Sequence, residues 1–332
     1  MYRRLERPPD LPPFLSRFGI RSVRQVRADL GTVIRHIPRR DRFRFNLSSA
    51  GLFRPELALP AYLGLVPKDG LAPIFNFFDR SGGGKNFRSF VTRDTAKDYR
   101  GGRLSYDEHD GTDFVCPPGT PLACAAPGIL VAVRENWLRG GLTACVDHGG
   151  GLVTQYTHVA KVVAEIGQPL RRGDTVALSG HGGMDMTQFY PLVPPHVHFM
   201  VFVNGAPLDP YRRPGEPDHG GTWLTRNDPR PSAALDESAP AHVRDLAVDE
   251  AAVDAAVSAC SDPAIRAELE RATSAAGRAA ILEDSFHHDR FSWPPGAARS
   301  LRGAAASETR LTLPLPATDY RGACVIDRSW TR

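Results

Sequence analysis

The chain has no run of about 18 apolar residues, so it is not expected to form a membrane-crossing helix. Its start, Met1 to Gly19, mixes arginine with proline and lacks the continuous apolar stretch of a secretory leader. Cysteine is scarce. The five present (Cys116, Cys124, Cys145, Cys260 and Cys324) leave at least one unpaired, and their spacings fit no zinc-knuckle pattern. They read as small buried apolar residues. A net charge of +4 over 332 residues is too small to argue for a nucleic-acid partner. No G-x-S-x-G occurs, which removes the support for a serine hydrolase. Gly82, Gly83, Gly84 and Lys85 suggest a phosphate loop, but the earlier glycine is missing and Asn86 stands where Ser or Thr is needed.

The composition, 42% hydrophobic and 23% charged, is ordinary for a globular protein, and the length suits one large or two modest domains. Charge is unevenly placed. Residues 1–45 carry twelve Arg against four acids, a face that can attract an anionic surface such as a membrane or wall polymer. A solvated helix surface is the plainer reading, because Ile20, Val23, Val26, Leu30 and Ile34 fall at helical spacing between those arginines. Residues 43–102 are irregular and rich in Pro, Gly and Phe.

Between Asp107 and Asp209 short apolar runs alternate with glycine turns: Gly128 to Val133, Thr143 to Val146, Leu152 to Tyr156, Thr175 to Leu178 and Val197 to Val203. Their Val, Ile, Thr and Phe content predicts an antiparallel β domain. Pro214 to Ala241 reads as a surface linker. Leu246 to Phe286, alanine-rich with interleaved charges, predicts helices, and Asp262 before Pro263 suits a helix start. A last short strand is expected at Leu311 to Leu315, held to a sheet edge by Pro314. The expected organisation is a basic N-terminal extension over 1–99, a mainly β domain over 100–212, a linker over 213–244, a helical segment over 245–290 and a tail over 291–332. The chain is thus α+β overall, with an antiparallel sheet at its centre.

Eleven histidines are present, and most sit in basic, linker, turn or helical contexts that call for no special chemistry; His148 and His181 read as polar turn residues. Four others form a pattern with an aspartate. His109-Asp-Gly-Thr-Asp113 places an imidazole and a carboxylate at even spacing, which on an extended strand puts both on one face. His196-Val-His198 does the same, with Val197 and Phe199 turned to the core. His158 has the same strand parity as Tyr156. Two such strands side by side can offer two imidazoles and one carboxylate to one cation. That donor set suits Zn²⁺, and a fourth position left to water makes such a site catalytic.

The order and framework of these motifs resemble the lysostaphin-type (LytM-like) zinc endopeptidases of peptidoglycan, whose signature is H-x-G-x-D, a central Y-x-H and a final H-x-H. The matching residues are His109-Asp-Gly-Thr-Asp113, Tyr156-Thr-His158 and Pro195-His-Val-His-Phe199, with turns at Pro118 to Pro121, Ala126 to Gly128, Asp147 to Gly149 and Asn204 to Pro210. The resemblance covers about a third of the chain. It implies one zinc ion per chain on His109, Asp113 and His198, with His158 and His196 acting on the water, and peptidoglycan stem or bridge peptides as substrate. That substrate implies action outside the cytoplasm, in periplasm or wall, although no leader is visible. Tyr99, Arg103 and Tyr106 are candidates to assist the oxyanion.

Two departures stand out: Met200 replaces a frequent glutamate after H-x-H-F, and a longer loop, Met184 to Pro194, precedes the last motif. A non-catalytic wall-binding or hydrolase-activating protein of the same fold is the alternative, although such members usually lack some ligands and here all five polar residues are present. A lipoyl-type carrier is the rival from another class. It needs a lysine at a hairpin tip where this chain has Arg171 and Arg172.

Overall fold

Alternation along one strand fixes the two sides of the sheet. In His196–Val203, the side chains of Val197, Phe199 and Val201 enter the main core, so His196 and His198 take the other face. The computed structural model describes residues 2–5, 11–27, 30, 53–78, 109–136, 140–183, 186, 190–212, 215–216, 223–232, 240–287, 301–302 and 308–326. The proposed oxyanion residues Tyr99, Arg103 and Tyr106, the Gly82 to Lys85 run and Phe189 lie outside the described residues.

The strands are β1 (Tyr2–Arg4), β2 (Leu65–Pro67), β3 (Leu71–Asn76), β4 (Thr112–Val115), β5 (Pro121–Ala123), β6 (Gly128–Asn136), β7 (Gly141–Asp147), β8 (Leu152–Val162), β9 (Pro169–Leu170), β10 (Thr175–Ser179), β11 (His196–Val203), β12 (Ala206–Pro207) and β13 (Gly322–Val325). The large sheet runs β13-β3-β4-β11-β8-β7-β6-β9, with β10 joining β8 to β5 and β12 pairing with β11; β1 and β2 form a separate pair. The expected all-antiparallel sheet is corrected to a mixed one, since β13 runs parallel to β3. A parallel pair needs a long connection, and strands β4 to β12 lie between these two in the chain.

The sheet also draws on residues outside 100–212. β3, in the stretch that reads as irregular, lies between β13 and β4. Leu311, Leu313 and Leu315 are buried in the same core as Phe114, Tyr156 and Phe199. They do not form the expected strand: Leu311 makes one bridge to Trp223, and the N–H groups of Thr312 and Leu313 go to different carbonyls, Ala125 and Arg230. Pro314, with no N–H, cannot continue a ladder. Of the expected N-terminal helix, residues 23–27 are helical with Val23 exposed, and most of the remainder lies outside the described residues.

Helix α1 (Phe14–Arg17) and α2 (Pro55–Tyr62) lie on the N-terminal side, and α3 (Glu250–Ala259), α4 (Pro263–Arg271) and α5 (Ala275–His287) follow the β region. Asp249 and Asp262 cap α3 and α4, accepting from the N–H groups of Ala252 and Ile265. These three helices bury Val253, Ile265, Leu269 and Leu282 with Ile129, Val131 and Cys145 of β6 and β7. Gly277 permits the contact: a Cβ there would stand 2.5 Å from the Val131 carbonyl oxygen. Charge joins the same interface, with Arg134 paired to Glu268 and Asp284, and Arg302 to Asp147 and Glu283. All five cysteines are free, four of them buried. No described helix is long and apolar enough to cross a membrane.

Candidate metal centre

Antiparallel pairing of β4 with β11 places Asp113 opposite His198 and Val115 opposite His196. Directly opposed residues share a face, so Asp113 and both histidines meet on the side away from Phe114, Val197 and Phe199. Asp113 is the hub. Its Oδ1 is 2.8 Å from Nδ1 of His198 and 3.5 Å from Nε2 of His196, and its Oδ2 is 3.1 Å from Nε2 of His109. His109 is not on a strand, as even spacing suggested; it sits in the bend before β4 and reaches Asp113 from the loop.

His158 arrives by a different route from the expected one. Tyr156 pairs with Phe199 and is buried in the core, so strict alternation would send His158 to the core as well. Instead the β7–β8 register slips between Leu142 and Ala144, and His158 has a φ of 63°. This bulge with a left-handed residue turns the ring out of the core. The ring lies 5.0 Å from that of His196 and 5.9 Å from that of His198. The Y-x-H spacing therefore brings His158 to the site through a break in parity, not through a face shared with Tyr156.

Backbone carbonyls orient three of the four imidazoles. Nδ1 of His109 is 2.9 Å from Phe77 O, Nδ1 of His196 is 2.8 Å from Pro194 O, and Nδ1 of His158 is 2.8 Å from Gly182 O. A carbonyl only accepts, so each Nδ1 carries a proton and each Nε2 is left to face the site: those of His158 and His196 keep their lone pair, whereas that of His109 donates to Asp113 Oδ2. His198 is held the other way, between Asp113 and Asp110, whose Oδ1 is 3.0 Å from its Nε2. Asp110 was not singled out by sequence; the one signal was a second carboxylate inside the first motif.

Burial sets the electrostatics. It works against ionised Asp113, but electrostatic attraction to the His109 and His196 rings and hydrogen bonds from His109 and His198 outweigh it and hold the carboxyl well below the usual range. Burial also works against charged His198, yet Asp110 and Asp113 push its pKa up to about 9. For His158, burial and then the neighbouring His196 and His198 rings bring it well below the usual value; burial likewise lowers His196. The site thus pairs an ionised carboxylate with two imidazoles kept neutral.

The donor set fits a divalent metal. One donor atom each from His109, Asp113 and His198 lies within 4.8 Å of the other two, and all three residues are buried. In a tetrahedral zinc site with bonds of about 2.0 to 2.1 Å the donors stand roughly 3.3 Å apart. Each imidazole stands near that spacing from one oxygen of Asp113, His198 Nδ1 at 2.8 Å from Oδ1 and His109 Nε2 at 3.1 Å from Oδ2.

An aromatic group stands beside His196. His181, read from sequence as a turn residue, is fully buried; its ring meets Tyr62 edge-on at 5.0 Å and Phe18 at 5.6 Å, and the Tyr62 hydroxyl bonds its Nε2. Burial and the neighbouring His196 lower its pKa to about 3. Tyr190, from the longer loop, packs edge-on against Phe18 and Tyr62 at 5.0 Å each and remains partly exposed.

A buried two-histidine, one-carboxylate cluster on a β-sheet, with two more imidazoles beside it, has the donor set of a candidate metal site. Comparison with known proteins narrows this. Residues 107–210 match the family model of Peptidase family M23. This stretch is a peptidase M23 domain of the lysostaphin type. Over 101 residues the chain is 33% identical to the peptidoglycan DD-endopeptidase ShyA of Vibrio cholerae and 34% identical to ShyB of the same organism, covering 30% of this chain and 22% of each relative. The chain thus spans about a fifth of the length of these curated relatives. The catalytic domain of the antimicrobial peptidase lysostaphin from Staphylococcus simulans is 26% identical over 31% of this chain and 77% of that one, with a TM-score of 0.27.

Proposed function

We propose that the M23 domain is a zinc-dependent endopeptidase acting on stem or bridge peptides of peptidoglycan outside the cytoplasm. The observation that carries the reading is the convergence of His109, Asp113 and His198 around one point, with neutral His158 and His196 alongside. The relatives named as peptidoglycan DD-endopeptidases support the substrate class.

In this reading His109, Asp113 and His198 hold one zinc ion per chain. When bound, such an ion supplies Lewis acidity and lowers the pKa of a water from about 15.7 towards ~7. The chain's own residues supply the remainder. His158 and His196 each keep an unprotonated Nε2 because Nδ1 is committed to a backbone carbonyl. A neutral imidazole with a free lone pair can take the proton of an attacking water. Once protonated, it can donate to the oxygen that gains charge as the peptide carbonyl is attacked, or to the leaving amine. Their low proton affinity keeps both in the accepting form at neutral pH.

The test is digestion of purified sacculi with and without a chelator, with released fragments read by mass spectrometry. Chelator-sensitive release of cut peptides is expected. Ready degradation of casein with sacculi left intact would overturn the wall reading.

A further inference from the structure

His198 is the odd member of the four imidazoles. The others commit Nδ1 to a carbonyl, whereas His198 turns Nδ1 to Asp113 at 2.8 Å. Its orientation must therefore come from the far nitrogen. Asp110 supplies it: the carboxylate is only 2% exposed, and its Oδ1 lies 3.0 Å from Nε2. The next residue shows how closely this loop is fitted to the ring. A Cβ on Gly111 would stand 2.8 Å from His198 Cε1 and 3.0 Å from Nε2, so only glycine lets the backbone close over the imidazole edge. β11 itself offers no substitute, because Met200, two residues along on the same face, is buried with Val153 and Phe202 and has no oxygen.

We propose that Asp110 is the positioning residue for the metal ligand His198, accepting its Nε2–H so that Nδ1 is presented beside His109 and Asp113. This inference rests on the metal reading given above. Its chemistry is that of a carboxylate–histidine–metal relay: the hydrogen bond fixes ring rotation and tautomer and raises the basicity of the ligating nitrogen. A carboxylate does this more strongly than a carbonyl, because the bond is charge-assisted. His198 thereby gains what the other three imidazoles obtain from the backbone. Asp110 touches neither water nor substrate in this scheme and acts only through His198.

The test is zinc affinity of the full chain, by competition with a chromophoric chelator, for the wild type, Asp110→Ala and Asp110→Asn. Asp110→Ala should bind zinc roughly 10- to 100-fold more weakly. Asp110→Asn keeps an oxygen acceptor for Nε2–H and should recover most of that loss, staying within about fivefold of the wild type. Histidine ¹⁵N NMR of the zinc-loaded wild type, assigned against His198→Gln, should show a proton on Nε2 of His198 and none on Nδ1; it needs no Asp110 variant to fold.

Equal affinity of Asp110→Ala and the wild type overturns the inference while leaving the metal reading intact. So does a loss in Asp110→Asn as large as in Asp110→Ala, or a His198 protonated on Nδ1. A wild type that binds no zinc overturns the metal reading, and this inference with it.

Discussion

The ring of His158 stands edge-on to that of His196, 5.0 Å away and at 82°. Neither supplies an atom to the donor triad of His109, Asp113 and His198. Replacing either by Ala should therefore leave zinc near one equivalent per chain, by elemental analysis, while turnover falls by roughly two to four powers of ten. His158 carries a second consequence. Its φ of 63° is a conformation that only a few residue types tolerate, so His158→Gly should relieve local strain while losing the same activity. Near-normal turnover in His158→Ala would reduce this residue to scaffold, and lost zinc in His196→Ala would show that the other half of the H-x-H pair is the ligand.

Asp113 contacts three imidazoles with its two oxygens. Asp113→Ala should remove the hub and a charge together, and His198→Ala one of the two ligating nitrogens. Both variants should contain little zinc after gel filtration. They should also lose the rise in melting temperature that added zinc gives the wild type, since a ligand at free concentration L that binds only the folded state stabilises it by RT ln(1 + L/Kd), which vanishes when the affinity is lost. Full zinc occupancy in either variant would sink the ligand assignment.

Period-two patterning made much of the sheet legible. The runs at Gly128 to Val133, Thr143 to Val146, Leu152 to Tyr156 and Val197 to Val203 all lie in strands, and Val197 and Phe199 face the core as alternation requires. Alternation also carried His196 and His198 to one face. It failed at His158, because a bulge is a backbone event that leaves little trace in residue order, and at His109, which approaches from a bend. Asp110 was hidden for another reason. Its importance depends on a loop folding over a ring 88 residues away in sequence, which no local pattern encodes. β3 and β13 were missed because Leu71–Asn76 contains a proline and Gly322–Val325 is a short strand in a polar tail.

Arg302 ties the helical segment to the sheet. It is almost fully buried, with Asp147 on one side and Glu283 at 2.8 Å on the other, both also buried. Burial raises the Glu283 pKa, and Arg302 opposes that rise. Arg302→Ala would leave two carboxylates in a dry interface without a counter-charge, at a cost of about 3 to 5 kcal/mol. Urea denaturation should show a midpoint lowered to match with an unchanged slope. An unchanged midpoint would mean that water enters the interface and solvates both acids.

His148 lies away from the metal ligands and gives the fold its own pH dependence. It was expected to be a polar turn residue, but it is buried, with Nδ1 2.9 Å from Pro127 O and Nε2 2.8 Å from Thr154 Oγ1. The carbonyl accepts a hydrogen bond from Nδ1–H and the threonine hydroxyl can donate to Nε2, so the neutral ring is already satisfied. Burial lowers its pKa from 6.5 to about 4, against smaller opposing contributions from the Pro127 carbonyl and Asp147. Between these two values the unfolded chain binds a proton at this residue that the folded chain does not. Stability therefore falls as pH drops from about 6.5 to 4 and is independent of this group outside that window. A gap of that size corresponds to about 3 kcal/mol. His148→Gln removes the titrating group. It should lower stability at pH 7 by about 1 to 3 kcal/mol through the disturbed hydrogen bonds. Its stability difference between pH 7 and pH 4 should nevertheless be smaller than the wild type's by about 3 kcal/mol. Urea unfolding of both proteins at the two pH values, with excess chelator so that metal release contributes nothing, makes the comparison. Equal pH dependence in the two would show that His148 reaches solvent and titrates as it does in the unfolded chain.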